Sequence, residues 1–253
     1  MDNIHSLFTY DFGYHWTVGF GHLIPLALAG VVGSIAWWRG AKWLVILAGI
    51  VGLWGLAGFF VTHAVFGLNR PMEIPTSRFM ASGAGRVLDA GAGSGRAAIG
   101  VLLARPKATV TALDIYSGFW GITDNTPERF MANARAAGAA DRADAHTGDM
   151  REMPFANGEF DAVVSSYAID HLGREGTAKA LGEVSRVLKP GGEFLLLIVN
   201  ADLLTRILSP HALGHHPHQD PERWRGLLKD AGFTLEEDGT QPATFYFYAR
   251  KRT

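Results

Sequence analysis

The sequence predicts an α/β protein: a doubly wound, mostly parallel, Rossmann-like seven-stranded sheet preceded by two transmembrane helices. Three observations carry that expectation. Short apolar runs alternate with helical segments from residue 86 onward. A glycine-rich loop follows the first of those runs directly. Two long stretches before residue 69 carry almost no charge.

The uncharged stretches come first in the chain. Val18–Trp38 holds no Asp, Glu, Lys or Arg, and neither does Trp43–Leu68. About 20 apolar residues span a bilayer core, so spans at 18–38 and 43–66 are expected. Trp37, Trp38 and Trp43 flank the Arg39–Lys42 turn, as interfacial aromatics do. Gly49, Gly52, Gly55 and Gly58, with Ala29 and Gly33, would let helices pack closely, within one chain or between copies. A signal peptide would need a basic start and one short apolar stretch, and the chain begins Met1-Asp2-Asn3. A soluble hairpin would show a polar face. His22 and His63 fall at the same end of such a hairpin, where they anchor it or line an entrance with Asp11 and His15. The aromatics Phe8, Tyr10, Phe12, Tyr14 and Trp16 suggest a segment lying at the interface. Residues 1–68 thus read as a membrane anchor.

Residues 69–85, with Pro71 and Pro75, read as a juxtamembrane linker, and 86–253 as an α/β domain. Strands are expected at 86–90, 108–114, 143–147, 160–165 and 193–199, with a terminal hairpin from 234–237 and 244–250. Helices are expected at 96–104, 127–137, 177–188 and 221–231. Alternation of this kind builds a parallel sheet with helices on both faces.

Composition narrows the chemistry. The 253 residues carry a formal charge of −1, so no whole-protein field would draw in nucleic acid. The absence of cysteine excludes disulfides, thiolate metal sites and a cysteine nucleophile. His211, His215, His216 and His218 form a cluster whose spacing matches no zinc pattern, leaving acceptor contacts or a solvated loop as its roles.

The chemical signal is Val87–Gly95, VLDAGAGSG. Glycines allow a tight turn and close backbone approach to a ligand. Asp114 ends the next strand, where an acid accepts hydrogen bonds from ribose hydroxyls. A dinucleotide fingerprint wants G-x-G-x-x-G, but the third position here is Arg96. The loop reads G-x-G-x-G instead, preceded by Asp89. An acid there suits a cofactor with a positive amino group and no pyrophosphate.

With these motifs the chain from about Arg86 to Leu197 resembles the class I S-adenosylmethionine-dependent methyltransferases, in the branch of the ubiquinone/menaquinone-type C-methyltransferases. The matching stretches are Val87–Gly95, Leu113–Ile115, Gly148–Met150, Met153–Phe155, Phe160–Ser165 and Val187–Gly192. The resemblance implies S-adenosyl-L-methionine as cofactor and S-adenosyl-L-homocysteine as product. It implies Asp89 near the methionine ammonium, and Gly91 and Gly93 beneath the methionine and ribose. Asp114 would hold the ribose hydroxyls, with Ile115 against the adenine. Asp149 would meet the adenine amino group and Met150 its ring, and Ser165 would lie beside the methionine. Many members fold a helix over the cofactor; here 69–85, with Glu73, Pro75 and Arg78, is the expected lid.

In this fold the end of the fourth strand faces the acceptor. Tyr167, Asp170 and His171 are the catalytic candidates, with His171 as a base and Asp170 as its orienting acid. No Asn/Asp-Pro-Pro-Tyr/Phe step stands there, which argues against methylation of DNA bases. The expected acceptor is a lipophilic or membrane-associated small molecule. A small thiol or metalloid, with the hairpin as a tether, is the second enzyme reading. A non-catalytic cofactor-sensing module is the third. Cofactor supply puts the catalytic domain on the cytoplasmic side of a cell membrane, the inner membrane in a bacterium. Arg39 and Lys42 in the outer turn run against the positive-inside rule.

Overall fold

A computed structural model describes residues 9–117, 122–200, 202–208 and 220–253. His211, His215, His216 and His218 lie outside the described residues.

The sheet has seven strands in the order β3-β2-β1-β4-β5-β7-β6. They are β1 Ala84–Ala90, β2 Lys107–Asp114, β3 Ala143–Thr147, β4 Phe160–Ser166, β5 Leu188–Val199, β6 Phe233–Gln241 and β7 Thr244–Lys251. The first five are parallel, and β7 pairs antiparallel with both β5 and β6. Chain order reverses between β1 and β4. A ligand crevice is expected outside the carboxyl ends of those two strands. Helices α4 Arg96–Ala104, α5 Pro127–Ala136, α6 Arg174–Val187 and α8 Pro221–Asp230 pack against the sheet. Two buried cores result, one around Val87, Ile99 and Phe130 and the other around Leu88, Phe194 and Trp224.

Strand β5 begins at Leu188, five residues before the expected start. Lys189–Gly192 bulges out between the pairs Phe160↔Leu188 and Ala162↔Glu193, so those residues lie within the strand rather than merely ending a helix.

The front of the chain differs more. The run 18–38 is not one helix. It divides into α1 Trp16–Phe20 and α2 Leu23–Trp38, broken at Gly21–His22. The 16 residues of α2 cover about 24 Å at 1.5 Å per residue, less than a bilayer core of about 30 Å. Helix α3, Lys42–Phe60, continues through a π-helical turn, Val61–Val65. Among the described residues, this is the one helix long and apolar enough to cross a membrane. The expectation of two full-length spans is therefore corrected to one candidate helix, by length and composition.

Helices α2 and α3 form an antiparallel hairpin with a seam of small residues. A Cβ on Gly33 would lie 3.3 Å from Ala48 Cβ, one on Gly52 3.5 Å from Ala29 Cβ, and one on Gly55 2.8 Å from His22 O. Those glycines serve the hairpin itself, whereas Gly30 and Gly49 face open space. The outward sides expose Leu28, Val31, Ile35, Leu47, Ile50 and Leu53. Trp37, Trp38 and Trp43 at its tip are 78%, 84% and 83% exposed. A helix pair this apolar all round is not a usual water-facing surface.

Short helix α7, Leu203–Leu208, was not expected from sequence. It docks on the hairpin base through Trp54 Nε1, which donates to Ile207 O at 2.7 Å. His22 Nε2 and Leu208 O are 2.7 Å apart, and His63 Nε2 lies 2.8 Å from Gly19 O. These two histidines are local ties at the hairpin base; neither lines the cavity described next.

Candidate active site

A cavity of about 670 Å³ opens at the carboxyl ends of β1 and β4. That size is within the roughly 300–1,000 Å³ of small-molecule sites. Its floor is the loop after β1. Gly91, Gly93 and Gly95 have φ of 79°, 54° and 90°, a region that L side chains rarely adopt. A Cβ on Gly91 would collide with Ala168 Cβ, and one on Gly95 with the Phe130 ring. On Gly93 the space above is open apart from Ile122 Cδ1 at 3.6 Å, so the loop leaves room for a ligand there.

Asp89 is 1% exposed and lines the cavity. Its Oδ2 accepts from Ala98 N at 2.9 Å, satisfying an amide in the first turn of α4. Its Oδ1 has no partner among the described residues. Burial pushes the carboxyl up to about 7, against the lowering effect of the Ala98 N–H, and the charge of Asp114 adds to the rise. Asp114 Oδ2 accepts from Gly93 N at 2.8 Å, and its Oδ1 from Tyr116 N at 2.7 Å and Asn125 Nδ2 at 3.1 Å. The acid at the end of β2 thus clamps the glycine loop from above. Ile115 and Met150 line the same cavity.

Two expected cofactor contacts fall elsewhere. Asp149 lies in a separate surface cleft with Arg151, Glu152, Glu175 and Lys179. Both its oxygens are taken by Arg151, Nη2 to Oδ2 at 2.5 Å, and that hydrogen bond holds its carboxyl below the ordinary value. Ser165 is fully buried and donates to Ala90 O at 2.7 Å, tying β4 to β1; its neighbour Ser166 reaches the cavity.

Of the catalytic candidates, Tyr167 and His171 line the cavity. Asp170 is buried below, where its Oδ2 accepts from Val199 N at 3.1 Å. Tyr167 sits in the left-handed region at φ 51°, and its hydroxyl bonds Thr244 Oγ1. Burial raises its pKa, while the nearby Arg96 charge lowers it.

None of residues 69–85, the expected lid, lines the cavity. Those residues are tied to α4, β5 and β6: Met72 N donates to Arg96 O, Met80 N to Glu193 Oε2, and Arg78 pairs with Glu236 at 2.7 Å. Phe12 and Tyr14, at the start of the chain, line the cavity instead. Tyr14 bridges Ile122, and Thr123 N donates to Gly13 O at 2.7 Å. Asn133 joins this segment to the glycine loop. Its Oδ1 accepts from Asp11 N at 2.9 Å, and its Nδ2 donates to Asp11 O at 2.8 Å and Ser94 O at 2.9 Å. Phe12, Tyr14, Asn125, Arg96 and Thr205 were not proposed as site residues from sequence.

Residues 87–192 match the family model described as "Methyltransferase domain". An uncharacterized methyltransferase of Synechocystis is 28% identical over 198 residues, covering 78% of this chain and 86% of that protein. The ubiquinone/menaquinone biosynthesis C-methyltransferase of Syntrophotalea carbinolica is 31% identical over 133 residues, 52% of each chain. This chain thus spans about half the length of that relative. Among solved structures, an S-adenosylmethionine-dependent methyltransferase of Methanosarcina mazei superimposes with a TM-score of 0.52 at 19% identity, covering 67% of this chain and 93% of that one. Residues 87–192 thus carry a methyltransferase domain, and the chain is an S-adenosylmethionine-dependent methyltransferase.

The cavity of this methyltransferase suits that cofactor. Asp89 presents a buried carboxylate oxygen in want of a cationic donor, and the face above Gly93 is open. Ser94 Oγ and Asn125 Oδ1 are also buried without partners among the described residues. Among the described residues, no cluster of three or more acids and histidines could hold a metal.

The Asn133 ties lead to a prediction for the methyltransferase. Asn133→Ala removes three hydrogen bonds between lid, helix and loop. Each is worth about 1 kcal/mol, so S-adenosylhomocysteine affinity is expected to drop about 10- to 150-fold, measured by calorimetry. An unchanged affinity would show that the lid does not hold the ligand.

Proposed function

We propose that this enzyme methylates a lipophilic, membrane-derived acceptor, with its apolar hairpin in the bilayer and its catalytic domain on the cytoplasmic face. One observation carries the reading. Val18, Phe66 and Leu68, at the base of the hairpin, line the same cavity as Asp89, Gly93 and Asp114. An acceptor leaving the bilayer along the hairpin would meet an apolar wall that ends at the cofactor. Relatives named for ubiquinone and menaquinone biosynthesis support a quinone-type ring among such acceptors. The exposed hairpin faces support a lipid surround.

When bound, S-adenosylmethionine supplies a methyl group on a sulfonium, open to in-line displacement. Asp89 Oδ1, which lacks a partner among the described residues, would take the methionine ammonium. Asp114 holds the loop through Gly93 N–H and would offer its remaining lone pairs to the ribose hydroxyls. Ile115 and Met150 would flank the adenine, and Phe12 and Tyr14, which line the cavity, would exclude water. Tyr167, fixed through Thr244, shapes the acceptor side. An imidazole nitrogen of His171 accepts the proton that the acceptor loses on methylation.

The test uses the full chain, a methyl-labelled donor and a membrane extract. The label is expected in the organic phase, in a lipid product. Label confined to a volatile or water-soluble product, as from a small thiol, would contradict the reading.

A further inference from the structure

Arg96 is the residue whose presence argued against a dinucleotide. It is the one lysine or arginine among the described residues lining the cavity. Its guanidinium is held in one orientation. Nε donates to Arg70 O at 3.0 Å, and Nη2 donates to Phe66 O at 2.6 Å and Gly67 O at 3.1 Å. Three of five donors are thereby used, and the two on Nη1 have no partner among the described residues. No described carboxylate pairs with Arg96. The acids of the cavity, Asp89 and Asp114, are engaged with the amides of Ala98, Gly93 and Tyr116. A half-buried charge in the cavity wall, met among the described residues only by carbonyl dipoles, is a ready receptor for an anion.

We infer that Arg96 receives an anionic oxygen of the acceptor, a carboxylate or an ionised phenol, while the acceptor's apolar body lies against Val18, Phe66 and Leu68. The inference rests on the lipophilic-acceptor reading and narrows it. A neutral lipid would give the Nη1 donors no charged partner, and an amphiphilic acid would. Arg96 grips the carbonyls of Phe66 and Gly67, so the anion site and the apolar wall are parts of one surface. The cofactor's own carboxylate is the other anion within the same cavity, and the test separates the two.

The probes are nonanoate and nonanol, titrated into the detergent-solubilised full chain saturated with S-adenosylhomocysteine. Wild type is expected to bind nonanoate at least about tenfold more tightly than nonanol, a charge-assisted hydrogen bond's worth. Arg96→Gln should erase that preference, Arg96→Lys should keep most of it, and both should bind S-adenosylhomocysteine within about threefold of wild type. Equal binding of acid and alcohol by wild type overturns the anion site while leaving a lipophilic acceptor standing. That comparison needs no variant to fold. Binding of neither probe, with S-adenosylhomocysteine still bound, overturns the lipophilic reading and the anion site with it. A large loss of S-adenosylhomocysteine affinity in Arg96→Gln, with methylthioadenosine binding unchanged, assigns Arg96 to the cofactor's carboxylate and overturns the inference.

Discussion

Asp89→Asn is expected to weaken S-adenosylhomocysteine binding by about a hundredfold or more at pH 8, yet to stabilise the ligand-free protein. Truncating one partner of a buried, hydrogen-bonded charge pair costs about 2–5 kcal/mol, and the ammonium loses its carboxylate. The ligand-free protein carries the opposite effect. Burial raises Asp89 from 3.8 to about 7, so folding favours its protonated form. The stabilisation is complete below the unfolded value, declines as pH rises, and is gone above about pH 7. Above that pH the ionised group costs the fold roughly 4 kcal/mol, which asparagine does not. Asparagine retains an oxygen for Ala98 N–H. Thermal unfolding between pH 5 and pH 8 should therefore fall more steeply in wild type than in the variant. In wild type, cofactor affinity should drop as pH goes below about 7, because a proton competes with the ammonium. A variant that binds normally, or shows an unchanged pH profile, would remove Asp89 from the site.

The second large effect concerns the hairpin. Leu28 and Leu47 are 60% and 56% exposed on its outward faces. The double substitution Leu28→Lys, Leu47→Lys adds two charges where lipid is proposed. Each costs about 2.5–3.5 kcal/mol near a bilayer centre, so vesicle partitioning should fall by a thousandfold or more, less where lysines reach the interface, roughly tenfold each. Flotation with anionic or neutral vesicles measures it. S-adenosylhomocysteine affinity should stay within about twofold, because neither leucine lines the cavity. Equal flotation of both proteins would mean that a protein partner, not lipid, covers those faces.

Most of the catalytic domain was legible because its strands are short apolar runs punctuated by glycine and proline, and the glycine loop names its own geometry. What was missed depended on distant contacts or on alternation. The break at Gly21–His22 carries no charge, so a hydropathy window runs straight through it; its reason is a bond from His22 to Leu208, far along the chain. The lid was legible in principle. Tyr10, Phe12 and Tyr14 alternate with Asp11 and Gly13, which is a strand's period rather than an interfacial helix's. The Asp149–Arg151 pair was also local, an acid and a base two residues apart after a strand. Ser165 and Ser166 could not be separated by pattern, because β4 is buried on both faces and its side-chain parity leaves no polar trace. Arg96 stood at an informative position, but its target carbonyls belong to the chain's exit from the hairpin, which only the fold brings near.

The account depends on a single cavity shared by the cofactor loop and the hairpin base. Leu68→Trp tests it most directly, by filling the apolar half without touching the loop. S-adenosylhomocysteine affinity, read by calorimetry, should stay within about threefold of wild type, while methyl transfer to extracted lipid should fall about thirtyfold or more. Full retention of lipid methylation, or an equal loss of cofactor binding and transfer, would contradict it.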